Sequence, residues 1–349
     1  MGCVNSGAGP IELDELLVTV VVDNATDTLS SIPAGVPQRS ELAGLLDGPF
    51  IGMHEGHEMA AVFEQLCVAC HGFSVLATGR RGDDTATVLF DVGPYGDVWL
   101  NNAARLGIDL SGIDVLFASH WHGDHTAGMP TVIGVIAEER SRAGRPPVVV
   151  DLHPDRPDRR GFLLPSGRFA MLPKEPTYAE IEAAGGQIAT HAEAHAVAGG
   201  LFLSSGDVPR KTAYETGVGG HYTWRDGEGF ADPEIHDERF LAAQVHGRGT
   251  TVFSACSHSG VVNVGLEALS LVPDRPIDLL LGGYHLAGAA VEDRIDSTVA
   301  DLADLVVPQI VAPGHCTGWR AAAALAAAFG PSGFASCVVG TRFTLGASS

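Results

Sequence analysis

The chain has 349 residues, room for one large domain, and 21 Lys plus Arg against 42 Asp plus Glu leave a formal charge of −21. A field of that sign repels phosphate backbones and anionic lipid, which argues against nucleic acid and membrane surfaces as partners. Hydrophobic residues make up 45%, yet no apolar run approaches the roughly 20 residues that span a bilayer. The expectation is a soluble, cytoplasmic protein acting on a small molecule, with homo-oligomerisation left open.

The N-terminal "MGCVNS" carries the Gly2, Cys3 and Ser6 of a lipidation pattern. Glu12, Asp14 and Glu15 follow where a basic cluster would be needed, so an unmodified terminus is expected. Strand-like runs then come at Leu16–Asp23, Phe73–Thr78, Ala86–Gly93, Ile113–Ser119, Pro147–His153, Gly200–Gly206, Thr250–Ser257, Ile277–Gly283, Gln309–Gly314 and Ala335–Phe343. Many are continuous rather than alternating, which predicts strands covered on both faces. Helical stretches at 97–108, 127–144, 260–272, 292–306 and 318–330 lie between them, so the chain reads as a layered α/β protein. Two segments without periodicity, 24–68 and 208–237, read as insertions into a single domain spanning 1–349, covering one end of it. "CVACH", Cys67 to His71, fits the haem-attachment spacing. Its continuation "HGFSVLAT" is a strand and no export leader precedes it, so reduced thiols are expected. Cys256, Cys316 and Cys337 lack framework spacing, as suits a reducing compartment.

Directly after the apolar "IDVLFA" comes "SHWHGDHTAGM". On an extended segment, side chains at i and i+2 point the same way, so His120 and His122 can approach one cation while Trp121 faces elsewhere. Gly123 permits a turn that returns Asp124 and His125 to the same place. Imidazole and carboxylate together suit zinc, iron or manganese.

H-x-H-x-D-H after a buried strand resembles the metallo-β-lactamase fold superfamily. That resemblance implies a four-layer αβ/βα sandwich with one or two divalent transition metal ions, zinc foremost, at the edge where the sheets meet. It also implies that His120, His122 and His258 of "SACSHSG" hold one metal. Asp124, His125 and His315 of "APGHCTG" would then hold the other. A narrower match runs through "VVVDN", "HGFSVL", "LFDVG", "NNAARLGIDLSGID", "SSGDVPR", "ACSHSGVVN", "GGYHL" and "PGHCTG". It resembles the branch typified by a pterin-cofactor biosynthesis synthase.

The superfamily's bridging aspartate is missing. The matching strand end reads "LLLGGYHL" and offers His285, while Asp278 lies earlier on that strand and Asp207 precedes His258. His285 is expected at the site, as a ligand or a general acid beside Asp124. Arg210 reads as a clamp for an anionic substrate group and Thr317 as part of a helix N-terminal anion cradle. His54 and His57 read as loop residues, and Arg159 and Arg160 as surface charge. The expected activity is metal-dependent hydrolysis of a small anionic substrate by a metal-bound hydroxide. The alternatives are transfer with a pyrophosphate leaving group in pterin-like cofactor biosynthesis, and a catalytically silent metal-binding sensor.

Overall fold

In the computed structural model, which describes residues 9–48 and 50–346, the continuous apolar runs form strands that feed two different cores. In Glu15–Val22, Leu16, Val18 and Val20 enter a central core, while Val21 and Val22 enter an outer one. Val115 and Phe117 likewise face inward from Ile113–Phe117, with Leu116 outward. A strand buried on both faces needs no polar alternation, which is why these runs read as unbroken.

One sheet has 8 strands, in the order Gln187–Thr190, Val149–Leu152, Ile113–Phe117, Asp84–Phe90, Ser74–Arg81, Glu15–Val22, Arg342–Gly346 and Gln38–Arg39. The other has 6, in the order Glu193–Val197, Phe202–Gly206, Leu241–Val245, Gly249–Ser254, Ile277–Gly283 and Ile310–Gly314. The central core lies between them, with Phe90 and Phe117 meeting Phe202 and Phe253. Helices Gly96–Arg105 and Met129–Arg142 cover the first sheet; Val261–Leu271 and Trp319–Gly333 cover the second. This is the four-layer αβ/βα sandwich. No helix among the described residues is long and apolar enough to cross a membrane.

Ile113–Phe117 pairs in parallel with both neighbours, as does Ile277–Gly283. Loops leaving the carboxyl ends of these strands and of Gly249–Ser254 and Ile310–Gly314 carry His120 to His125, His258, His285 and His315. Such strand ends are where open α/β sheets place their ligands.

A smaller four-stranded antiparallel sheet packs against this edge, in the order Phe169–Lys174, Arg159–Leu163, His221–Arg225 and Glu228–Ala231. Half of it comes from the segment 208–237, and half from a stretch that sequence reading left unassigned. Arg160, taken above for surface charge, is fully buried at its centre. Its guanidinium donates to Trp121 O at 2.9 Å and to Thr223 Oγ1 at 3.2 Å, and is ion-paired with Asp237. "DRPDRRGF" looks solvated because the neutralising carboxylate lies 77 residues away.

The segment 24–68 behaves differently. Gln38–Arg39 adds to the first sheet, and Phe50–His54 with His57–Ala60 forms an exposed hairpin. His54 pairs across this hairpin with His57 and lies next to Glu55. Among the described residues, hydrogen bonds from this segment to the histidine side chains at the sheet edge come from Asn24, to His71 and His315. The expected strand Ala335–Phe343 begins only at Arg342, because the buried residues before it turn through the left-handed Gly340 at φ 85°. The "MGCVNS" pattern lies outside the described residues.

Candidate metal centre

His120 Nε2, His122 Nδ1 and His258 Nε2 converge, separated by 3.0, 3.1 and 3.2 Å. All three rings are buried. Burial first, and the neighbouring imidazoles second, push their pKa values well below the usual histidine range. They are therefore neutral and present lone pairs.

Hydrogen bonds on the far side of two rings decide which nitrogen faces in. His221 Nδ1–H donates to Asp232 O at 2.6 Å, which leaves His221 Nε2 an acceptor. His122 Nε2–H donates to it at 3.0 Å, so Nδ1 of His122 is the bare nitrogen. Ser119 Oγ–H donates to Asp91 Oδ2 at 2.7 Å and accepts from His120 Nδ1–H at 2.8 Å. His120 thus turns Nε2 inward. His258 Nδ1 has no partner, so the inward nitrogens of two of the three rings are fixed as bare, and the three at this spacing fit the face of a tetrahedral cation. The donor set suits the metal that the fold implies.

The second cluster is mixed. Asp124 Oδ2 lies 3.3 Å from His315 Nε2, 3.6 Å from His125 Nε2 and 3.4 Å from His71 Nε2. Burial opposes ionisation of Asp124, yet the His125, His315 and His71 rings hold its carboxyl well below the usual range. His125 Nδ1–H donates to Asp91 Oδ2 at 2.8 Å, so one carboxylate orients a ring in each cluster. Asn24 Oδ1 accepts from His315 Nδ1–H at 3.0 Å, while Asn24 Nδ2 donates to His71 Nδ1 at 3.1 Å. His71 therefore offers Nε2–H to Asp124.

Asp124 and His125 sit in the short helical turn Gly123–Thr126, with His122 as its N-cap in extended conformation. Trp121 faces the outer core and donates to His153 O at 3.0 Å. Asp91, Ser257, His285 and His315 hold φ at 55°, 59°, 47° and 45°, each just past a strand end. A left-handed non-glycine residue costs about 1–2 kcal/mol. Four of them around one site mark a geometry imposed by the surrounding packing.

His285 packs edge-on against His258, with ring centroids 4.5 Å apart, and its buried Nδ1 has no partner. Arg210, expected to clamp substrate, is engaged by Asp207 and by the carbonyls of Val208 and Glu234. Thr317 Oγ1 accepts from Tyr284 N at 3.0 Å and so anchors the turn carrying His285. Thr317 ends the 3-10 turn His315–Thr317, and Gly318 is the N-cap of the helix starting at Trp319. Asp278 pairs with Arg248 at 2.8 Å, and Asp207 is an exposed partner of Arg210 and His236. Neither carboxylate makes a hydrogen bond or ion pair with His120, His122, His125, His258, His285 or His315. A separate trio, Asp151, His191 and His195, surrounds a carboxylate already paired with buried Arg239 at 2.9 Å.

Sequence reading missed Asp91, Asn24, His71, His221, Cys256 and Cys316. Asp91 ends "LFD" on a buried strand, and a carboxylate there was a usable signal. His71 was read only as part of a haem pattern. His221 had no local signal, since its partner His122 is 99 residues away.

A buried triad of histidines, two of them held in one tautomer, at the carboxyl edge of an αβ/βα sandwich defines a protein of the metallo-β-lactamase class. The metallo-beta-lactamase superfamily signature matches residues 68–137, the stretch holding Asp91 and the H-x-H-x-D-H run. Over 253 residues the chain is 30% identical to the 7,8-dihydropterin-6-methyl-4-(beta-D-ribofuranosyl)-aminobenzene-5'-phosphate synthase of Methanocaldococcus jannaschii, covering 72% of this chain and 82% of that one. The chain belongs to the metallo-β-lactamase superfamily, in the branch that contains this synthase. It is also 28% identical over 266 residues to an uncharacterized protein of the same organism, covering 72% and 86% of the two chains. The crystal structure of Tm1679, described as a metal-dependent hydrolase of the beta-lactamase superfamily, shares the fold with a TM-score of 0.66. It is 22% identical, with 96% of this chain and all 100% of that one covered.

The synthase similarity overturns the hydrolase expectation drawn from the sequence. A cation pair stabilises an anionic leaving group whichever nucleophile arrives, so the ligand run alone does not select water. The error lay in reading a reaction from a ligand set.

Proposed function

We propose that the chain is a metal-dependent transferase of pterin-like cofactor biosynthesis, joining an aromatic or pterin-like acceptor to its partner with pyrophosphate as leaving group. The observation that carries this reading is the 30% identity to the synthase over 82% of that relative's length. His120, His122 and His258 would hold one cation and Asp124, His125 and His315 the other, with zinc preferred over iron or manganese. Bound there, the cations would neutralise and orient the departing pyrophosphate. The partner is a small anionic molecule, and a cytoplasmic setting belongs to the same reading.

The chain's own groups complete the site. A small cavity beside His258 is lined by Ser257, His285, Arg294 and Thr298. Arg294 is held only loosely, with contacts of 3.5 and 3.4 Å to Gly217 O and Thr216 Oγ1, which leaves its guanidinium fork for an anion. Burial works against a charged His285, but the Cys316 thiol and Glu238 beside it raise its pKa. The Nδ1 of His285, buried and without a partner, is the group that can pass a proton to the leaving oxygen.

The test is pyrophosphate release from a pterin diphosphate in the presence and absence of a phosphoribosyl-aminobenzene acceptor. Release should require both substrates and bound metal. Equal release without acceptor would show hydrolysis and contradict the proposal. His285→Ala should lower turnover by about 10²–10⁴-fold at unchanged metal content.

A further inference from the structure

Two sulfur atoms lie inside the second cluster. Cys256 is two residues before His258, and Cys316 directly follows His315, so both ride on loops that already carry ligands. Cys256 is buried, and its Sγ lies 3.2 Å from His125 Nε2. It belongs to two overlapping groups of donor atoms, one with His120 and His125 and one with His315 and Cys316. Within each group every donor lies within 4.8 Å of the others. One sulfur therefore shares a donor group with His120 of the first ligand set and with His125 and His315 of the second.

The spacing is that of a coordination sphere. Nitrogen at roughly 2.0 Å and sulfur at roughly 2.3 Å from a tetrahedral cation lie about 3.3–3.8 Å from each other. The Cys256–His125 separation of 3.2 Å and the Asp124 separations of 3.3 and 3.6 Å are on that scale.

Among the described residues, neither Asp278 nor Asp207 takes this place. Asp278 is engaged by Arg248, and the strand ends in Gly282 and Gly283. A Cβ on Gly283 would meet Ala255 O at 2.3 Å and Cys316 Sγ at 2.7 Å. At this strand end the room a carboxylate would need is taken by Cys316 Sγ and by the Ala255 carbonyl beside Cys256. Two divalent cations at ~3.5–4 Å repel strongly, and a thiolate between them relieves that repulsion as a carboxylate does.

We propose that the second cation position is a thiolate site, in which Cys256 is the ligand placed between the cations and Cys316 a further sulfur donor beside His315. Binding releases the thiol protons to solvent. Soft donors select zinc or ferrous iron over manganese or magnesium. The inference rests on the two-cation reading of this centre and is independent of the reaction it catalyses.

The test is a cobalt(II) titration of the metal-free full chain. The second equivalent should bring an intense thiolate-to-cobalt charge-transfer absorption in the near ultraviolet. Cys256→Ser should abolish most of it and weaken the second equivalent by about tenfold or more; Cys316→Ser should reduce it, and Cys70→Ser should leave it intact. Zinc-edge absorption on the wild-type chain needs no folded variant, and it should show sulfur at about 2.3 Å. Saturation without the band, or a zinc shell of nitrogen and oxygen alone, would overturn the proposal. A band present in a chain that fails the two-substrate assay would leave the thiolate site standing and sink only the proposed reaction.

Discussion

The two halves of the metal centre share one loop but are built by different means. The first takes three imidazoles from two strand ends, all buried, with the outward nitrogens of His120 and His122 fixed by Ser119 and His221. The second mixes carboxylate, imidazole and thiol, and its outer edge is the exposed His71. A preorganised neutral triad needs little rearrangement to bind, whereas the second cluster must first give up protons and internal hydrogen bonds. The first position should therefore hold its cation tightly and the second should exchange. Which atoms stand behind the ligands matters as much as the ligands.

The most drastic way to break the comparison is His120→Ala with His122→Ala, which should reduce bound metal at the first position to background, measured by elemental analysis. Full occupancy would remove the triad from the account. Asp91→Asn comes next, since this carboxylate orients Ser119 and His120 on one side and His125 on the other. Affinity at both positions should fall by about 10–100-fold, read by competition with a chromophoric chelator. A loss confined to one position would break the shared-carboxylate link. His221→Ala sharpens the contrast further: it should weaken the first cation by about tenfold and spare the second, while His71→Asn should do the reverse and more mildly.

The smallest effect concerns the layer under the loop. Glu175, whose side chain accepts from Thr126, is buried, and burial raises its pKa to about 7 from an ordinary value of 4.5. The folded state thus holds a proton that the unfolded chain has lost. Its contribution to stability is complete below about pH 4.5 and falls away as pH rises toward 7. Glu175→Gln should flatten that part of the stability profile by about 1–3 kcal/mol in chemical denaturation at pH 5 and 8. Parallel profiles would mean that Glu175 does not titrate in this window.

Much of the layering was legible because buried strands between helices leave unbroken apolar runs. His120 to His125 were legible because their spacing is local. What stayed hidden is contact across the chain. Arg160 looked solvated until Asp237 closed on it, and Arg210 looked free until the carbonyls of its own loop took it. Cys256 and Cys316 looked scattered because 60 residues separate two sulfurs that share one group of donor atoms. The helix expected at 292–306 is Ile295–Asp301 continued by a wider turn, Leu302–Val306, that ends at left-handed Val307. Periodicity finds such a helix, but only geometry shows its last turn.

Outer hydrogen bonds fix which atoms of His120 and His122 face the first cation. Anomalous diffraction at the zinc edge, on crystals of the metal-loaded chain, tests this most directly. The predicted result is a peak bounded by His120 Nε2, His122 Nδ1 and His258 Nε2, with His122 Nε2 still bonded to His221. A peak reached through His122 Nε2, or no peak among these three rings, would contradict it.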